Sequence, residues 1–160
     1  MKTAQLQTGL KRLNTLALVE LRQRYPNVEE GAIPKPCYRD RTANELTKSI
    51  IYWIRLHGGQ AERISCTGRM IDKRKIVTDC MGYRRQIGST EWIKSSMQRG
   101  TADISCTIQG KSVKIEVKVG RDRQSEAQCK YQAQVEASGG VYYIAKDFES
   151  FYQWFNEMFE

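Results

Sequence analysis

The residues with the clearest chemical potential in this chain are two carboxylates, Asp103 and Glu116, with Lys118 two positions further on. They lie in the segment GTADISCTIQGKSVKIEVKVG, which predicts a hairpin of two short strands closed at residues 109–110. With a two-residue turn there, Asp103 lies opposite Glu116, and directly paired side chains have Cβ atoms about 4.5–5.5 Å apart. Two like charges this close are destabilising unless a cation lies between them, so the pattern predicts a divalent metal bound by carboxylate oxygens.

The hairpin has one apolar and one polar face, because its residue types alternate with a period of two. Three pairs follow from the closure: Ile104 with Ile115, Cys106 with Val113, and Ile108 with Lys111. A shift by one residue would turn one strand inside out, so the core fixes the register as well as the turn. Gln-Gly is a poorer type I′ turn than Asn-Gly, which leaves a four-residue loop as an alternative with the same pairing. The competing interpretation is a solvated Lys-x-Glu-x-Lys strand face.

Composition narrows the class of protein. The chain has 160 residues, 40% of them hydrophobic and 28% charged, which is typical of a soluble globular protein. No apolar run reaches the ~18 residues needed to span a membrane, and the N-terminus has no secretory apolar core. Five cysteines at wide spacings, with no C-x-x-C, argue against a disulfide framework or a zinc site. The single histidine excludes a His-rich metal site. We therefore expect a cytoplasmic protein without a membrane partner.

The net charge of +8 is unevenly distributed. Residues 67–100 carry eight Lys and Arg against three acids, a net of +5, whereas residues 101–160 carry seven bases and nine acids, a net of −2. A basic segment next to an acidic site suits a polyanion that must reach metal-binding carboxylates. A solvated basic loop is the alternative. The candidate nucleic-acid-binding residues are Arg69, Lys73, Arg74, Lys75, Arg84, Arg85 and Arg99.

Hydrophobic periodicity predicts the elements around the hairpin. We expect an amphipathic helix over 3–25, a proline-containing linker over 26–41, a helix from Thr42 to Gly58, a strand over 61–66, an irregular basic stretch over 67–100, a helix over 125–138, a strand over 141–145 and a helix after Asp147. This order predicts an α/β fold with a small mixed central sheet flanked by helices. The predicted division is an N-terminal segment over 1–41 and one domain over 42–160.

Three further residues have both a structural and a functional interpretation. Glu45 lies three residues after Thr42, and Gln128 three residues after Ser125, so each completes a capping-box pattern. Glu45 could alternatively give the metal a third carboxylate. Gln128 and Gln132, one helical turn apart, could orient water or contact a phosphate, or could be ordinary surface residues.

Taken in order, these motifs resemble the PD-(D/E)XK nuclease superfamily and, more narrowly, the virus-type replication-repair nuclease (VRR-NUC) domain. The matching segments read NELTKSIIYWIRLHGG, GTADI, IEVKVGRDRQSEAQ and ASGGVYYIAKDFESF. They cover about residues 42–155 and leave the N-terminal helix unexplained. Ala102 stands where the family usually has proline, a structural position. The resemblance implies a restriction-endonuclease-like core.

The resemblance also implies roles for individual residues. Asp103, Glu116 and the Val117 carbonyl would bind Mg²⁺ or Mn²⁺, with Glu45 completing the shell. Lys118 would orient the attacking water, and Gln128 and Gln132 would support the site.

The implied activity is divalent-metal-dependent DNA endonuclease cleavage of duplex or branched DNA, such as a junction or flap, in the DNA repair or recombination of a phage or mobile element. The rivals are a non-cleaving nucleic-acid-binding module of the same fold and a scaffold whose N-terminal helix is the functional part. A leucine stripe over 6–21 lies outside the matched core and needs burial, either on the chain's own domain or on a partner's. A two-fold dimer cuts both strands of a symmetric substrate most simply, so a homodimer is expected.

Overall fold

Four α-helices and eight β-strands occupy the residues that the computed structural model describes, 8–65, 68–95 and 98–160. In chain order they are α1 (Thr8–Arg24), α2 (Ala43–Leu56), β1 (Gln60–Arg63), β2 (Arg69–Asp72), β3 (Lys75–Thr78), β4 (Arg84–Ile87), β5 (Thr90–Ile93), β6 (Ile104–Ile108), β7 (Lys111–Val117), α3 (Glu126–Ala137), β8 (Val141–Ala145) and α4 (Phe148–Phe159). A 3₁₀ turn, Glu30–Ala32, interrupts the proline-containing segment. The elements form two compact units, one of the chain up to Ile64 with Gly100–Glu160 and the other of Ser65–Arg99.

The larger unit is built on a four-stranded mixed sheet. Its strand order is β1-β6-β7-β8. The β1–β6 and β6–β7 pairs are antiparallel, and β8 runs parallel to β7. A parallel pair needs a crossover connection, which α3 supplies between β7 and β8. The α/β class with a mixed central sheet is therefore confirmed.

The predicted hairpin register is also confirmed. Ile104 pairs with Ile115, Cys106 with Val113, and Ile108 with Lys111. The turn contains two residues, and both have positive φ, 47° at Gln109 and 79° at Gly110. Positive φ at both central residues is the signature of type I′, whose twist matches that of the flanking strands. The two-residue turn, and not the four-residue loop, closes the hairpin.

The apolar face of the hairpin packs in a core shared with three helices. Trp53 of α2 and Phe148, Phe151 and Phe155 of α4 are fully or almost fully buried. Trp53 meets Phe148 and Phe155 edge to face, a favoured aromatic geometry. The opposite face of the sheet is therefore the one available for polar chemistry.

The N-terminal helix belongs to this unit and does not form a separate segment ending at residue 41. Leu13 and Ala17 are buried, and Leu13 is part of the central core. The backbone N–H of Gly9 donates to Glu149 Oε2 at 2.9 Å, which ties α1 to α4. The stripe is thus covered within the chain, so it supplies no argument for a dimer. Residues 3–7 of the predicted helix, with Leu6, lie outside the described residues.

The basic stretch is not irregular as expected. It contains two antiparallel ribbons, β2 with β5 and β3 with β4, and the second ribbon is nested within the first in sequence. Each strand has only four residues, and their side chains are exposed except for the half-buried Ile71. The strand predicted over 61–66 is shorter, since β1 ends at Arg63; Cys66 lies outside the described residues.

Candidate metal-dependent active site

Glu116 is the centre of the polar face. It lies on β7 with only 1% of its surface exposed. Its Oε1 accepts a hydrogen bond from Gln128 Nε2 and lies 3.2 Å from Lys118 Nζ. Its Oε2 is buried and has no hydrogen-bond partner among the described residues. Burial, and next the charge of Asp103, raise the pKa of Glu116 to about 6, although Lys118 acts in the opposite direction.

Asp103 is held beside Glu116 by a backbone contact. It directly precedes β6, and continuing the β6–β7 register from Ile104–Ile115 places it opposite Glu116. Asp103 Oδ2 accepts from the Val117 backbone N–H at 2.9 Å. This hydrogen bond fixes the carboxylate at the carboxyl end of β7, so the carboxylate pair predicted from the hairpin lies on one sheet face.

A close approach between backbones positions the segment before Asp103. Gly100 has φ +81°, and a Cβ atom there would lie 2.3 Å from the Ala127 carbonyl oxygen. Only glycine satisfies both the conformation and the space. The glycine of the G-x-x-D motif thus lets this segment run against the first turn of α3.

Lys118 completes the E-x-K pattern as a buried ammonium. It is 8% exposed, and its backbone N–H donates to the Ala145 carbonyl at 2.8 Å, extending the β7–β8 ladder. Its Nζ lies 3.2 Å from Glu116 Oε1 and 3.2 Å from Asp122 Oδ2. Burial lowers the pKa of Lys118, but the hydrogen bonds to Asp122 and Glu116 outweigh it and leave that pKa raised.

Gln128 has both of the roles that its position allows. Its Oε1 accepts from the Ser125 backbone N–H at 2.8 Å and the Ser125 hydroxyl accepts from its N–H, completing the capping box of α3. Its Nε2 reaches Glu116. The cap therefore orients an amide toward the buried carboxylate. Gln132 contacts Gln124 and Glu136 instead, and within the described residues no hydrogen bond joins it to either carboxylate.

Glu45 has the capping role. Thr42 donates its backbone N–H to Glu45 Oε2 at 3.1 Å, and the Thr42 hydroxyl accepts from the Glu45 N–H at 3.2 Å. Among the described residues, no group of three or more His, Cys, Asp or Glu side chains is arranged to hold a metal ion. The structure thus does not bring Glu45 together with Asp103 and Glu116.

Two residues near the carboxylates have no signal in the sequence pattern. Asp122, in the exposed turn after β7, shares Lys118 with Glu116. Tyr142, on β8, has a buried hydroxyl, and burial followed by the charge of Glu116 raises the pKa of Tyr142 to about 12. Asp122 reaches Lys118 through the turn after β7, four residues further along the chain. Tyr142 approaches through the pairing of β8 with β7, which spacing along the chain does not reveal.

The donor set fits Mg²⁺ or Mn²⁺. Its atoms are oxygens: the Asp103 carboxylate and the unpartnered Oε2 of Glu116, to which the sequence resemblance would add the Val117 carbonyl. Mg²⁺ is commonly bound by only one or two carboxylates, and it keeps several waters. Two carboxylates are therefore sufficient, and an unpartnered buried carboxylate oxygen is the atom that a cation would satisfy.

Comparison with protein-family models and with curated proteins finds no match to this chain. The resemblance to the nuclease superfamily therefore remains an expectation drawn from the sequence motifs. In the described part of the chain, no helix has both the length and the apolar character that a membrane crossing requires.

Proposed function

We propose that this protein is a divalent-metal-dependent nuclease that hydrolyses phosphodiester bonds in DNA. The observation that carries the proposal is the buried Glu116, whose Oε2 is unpartnered beside Asp103 and whose Oε1 lies 3.2 Å from the buried Lys118 ammonium. Burying a carboxylate with a free oxygen is costly to the folded protein. A purely structural residue gains nothing from that arrangement, whereas a metal ligand needs the free oxygen.

Each residue then has a role. Asp103 and Glu116 would hold the ion, which when bound polarises the scissile phosphate and lowers the pKa of a coordinated water. Lys118 would donate hydrogen bonds to the attacking water and to the phosphate oxygens, where negative charge grows in the transition state. Gln128 would keep Glu116 in the orientation that leaves Oε2 free.

The restriction-endonuclease-like core is part of this proposal. Its support is the order of elements: an antiparallel hairpin carries the acid before β6 and the E-x-K at the end of β7, and α3 leads from there to the parallel strand β8. The helix before the sheet, α2, carries the expected glutamate, Glu45, in its first turn. The arrangement of Asp103, Glu116 and Lys118 at the end of this hairpin adds chemical support.

The second unit supports DNA as the substrate. A two-stranded ribbon fits the major groove of B-DNA. Its side chains mix exposed apolar groups, such as Met70 and Trp92 at 65% and 59% exposure, with positive charge. Within the described residues, three basic side chains of this unit form ion pairs with acidic ones: Lys73 with Glu91, Arg74 with Asp72, and Arg85 with Asp79. The described basic side chains without such an ion pair are Arg69, Lys75, Arg84, Lys94 and Arg99.

Cleavage is tested on linear and branched DNA with Mg²⁺ or Mn²⁺ and with EDTA. We expect Asp103→Ala, Glu116→Ala and Lys118→Ala to abolish metal-dependent cleavage while the protein stays folded. Lys130→Ala removes an exposed lysine and should leave the rate unchanged. DNA binding without cleavage by the wild type would indicate a binding module. Full cleavage by either Asp103→Ala or Glu116→Ala would show that these carboxylates do not form the active site.

DNA binding by the second unit is tested by two double variants that remove the same charge. Lys75→Ala/Arg84→Ala removes bases without an acidic partner, and Lys73→Ala/Arg74→Ala removes bases that already have one. The logarithm of the DNA-binding constant decreases linearly with the logarithm of the salt concentration. The steepness of this decrease should become smaller by about 0.9 for each phosphate that the protein no longer neutralises. We expect a decrease of about 1.8 in the first variant, for two phosphates, and a smaller decrease in the second. Unchanged slopes in both double variants would mean that the second unit does not bind DNA through these residues.

A further inference from the structure

The site has a second buried polar atom without a partner. Among the described residues, the Tyr142 hydroxyl makes no hydrogen bond, and neither does Oε2 of Glu116. Native proteins seldom leave buried polar groups unpaired, and those that remain often mark functional sites. The two atoms are complementary, because the hydroxyl has a hydrogen to donate and the carboxylate oxygen accepts.

The strand register places them on one face. In the parallel β7–β8 pair, Lys114 lies beside Tyr142 and Glu116 beside Ile144. Tyr142 and Glu116 are thus diagonal neighbours, separated by two residues along the same face, and an aromatic side chain reaches that far. The Tyr131 ring of α3 lies edge-on to the Tyr142 ring, with centroids 6.4 Å apart.

The neighbouring amide does not satisfy the hydroxyl. Gln124 lies near enough to lower the pKa of Tyr142 as a donor, but it does not meet the hydroxyl with hydrogen-bond geometry, and an amide N–H could not accept the hydroxyl hydrogen in any case. The Tyr142 oxygen exposes almost no surface, so a water-sized ligand suits it better than a phosphate group.

We propose that Tyr142 is a positioning residue of the metal site, and that its hydroxyl donates to a water that is a ligand of the divalent ion beside Oε2 of Glu116. This inference rests on the proposed function. The tyrosine would orient the ligand, with Glu116 held from the other side by Gln128. Outer-shell hydrogen bonds of this kind typically change metal affinity about 10–100-fold.

Tyr142→Phe tests the proposal, because it removes only the hydroxyl and keeps the ring against Tyr131. Tyr143→Phe is the matched control: its ring stacks on Trp154 at 4.2 Å, on the opposite face of the same strand. Mn²⁺ affinity is measured by isothermal titration calorimetry without DNA, and thermal unfolding is followed in EDTA. We expect Tyr142→Phe to bind Mn²⁺ about tenfold more weakly, with an unchanged or higher midpoint in EDTA. Tyr143→Phe should keep wild-type affinity.

The outcomes separate this inference from the proposed function. A wild-type protein that binds no Mn²⁺ would overturn both the proposed function and the role of Tyr142. A wild type that binds Mn²⁺ and cuts DNA, beside a Tyr142→Phe variant of equal affinity, would overturn the role of Tyr142 alone. A lower midpoint in EDTA, or failure to fold, would show that the hydroxyl is structural, since removing a truly unpartnered hydroxyl does not destabilise the metal-free protein.

Discussion

Replacing Glu116 with glutamine should make the metal-free protein more stable while abolishing cleavage. Glutamine has nearly the shape of glutamate, and its Oε1 can still accept the hydrogen bond from Gln128. It removes the negative charge that is buried with Oε2 unpartnered and close to Asp103. The substitution thus separates the cost of burying a charge from the packing of the side chain.

The magnitude follows from the pKa of Glu116, which rises from 4.5 to about 6 in the folded protein. Each pKa unit corresponds to about 1.36 kcal/mol, so ionised Glu116 costs the folded state about 2 kcal/mol. A raised carboxyl pKa means that the folded state binds the proton more tightly than the unfolded state. The gain in Glu116→Gln should therefore be full above a pH of about 6, shrink as the pH falls from about 6 to 4.5, and vanish below pH 4.5.

The assay is thermal unfolding in EDTA at a pH of about 7.5 and at a pH of about 4, on either side of the two pKa values. Unfolding is followed by tryptophan fluorescence, which should change when the fully buried Trp53 is exposed. For a chain of this size, about 2 kcal/mol corresponds to a rise of about 4–8 °C in midpoint at the higher pH. Glu126→Gln is the control, because Glu126 is an exposed glutamate and its removal should change little. A Glu116→Gln midpoint at or below that of the wild type at the higher pH would refute the reasoning.

Two further pairs of variants test how the site is positioned. Ser125→Ala removes the capping hydroxyl and should lower the stability by about 1 kcal/mol. It should not slow cleavage, because the backbone N–H of residue 125 still holds Gln128 Oε1. Gln128→Ala should also slow cleavage about tenfold, because it releases Glu116; equal rates in the two variants would contradict this. Gly100→Ala should destabilise the protein more than Gly110→Ala, since both have positive φ but only Gly100 meets the Ala127 carbonyl. Urea unfolding measures the stability of all four variants. Equal losses of stability in Gly100→Ala and Gly110→Ala would contradict the close approach of Gly100 to Ala127.

Much of the candidate site could be predicted from the sequence because it depends on local rules. Strand alternation and a two-residue turn fix the pairing of β6 with β7, and that pairing places Asp103 opposite Glu116. The capping boxes at Thr42 and Ser125 are equally local, since they join residues three positions apart.

The ribbons of the basic unit could not be predicted, because their pattern is not local. Their strands have four residues each and expose both faces, so neither alternation nor an apolar run marks them. Their pairing depends on partners up to 24 residues away, as between Arg69 and Ile93. The N-terminal helix is visible from its spacing, but spacing does not show that Leu13 packs in the same core as β6 and β7.

The sequence by itself therefore determined the two carboxylates, the lysine and the strand face that they share. The tertiary structure decided which other side chains reach them. The packing of α3 over the sheet directs Gln128, and not Gln132, to Glu116, and the parallel pairing of β8 brings Tyr142 to the same face. These contacts join elements that are distant in the chain, and such contacts depend on how whole elements pack, which no local periodicity specifies.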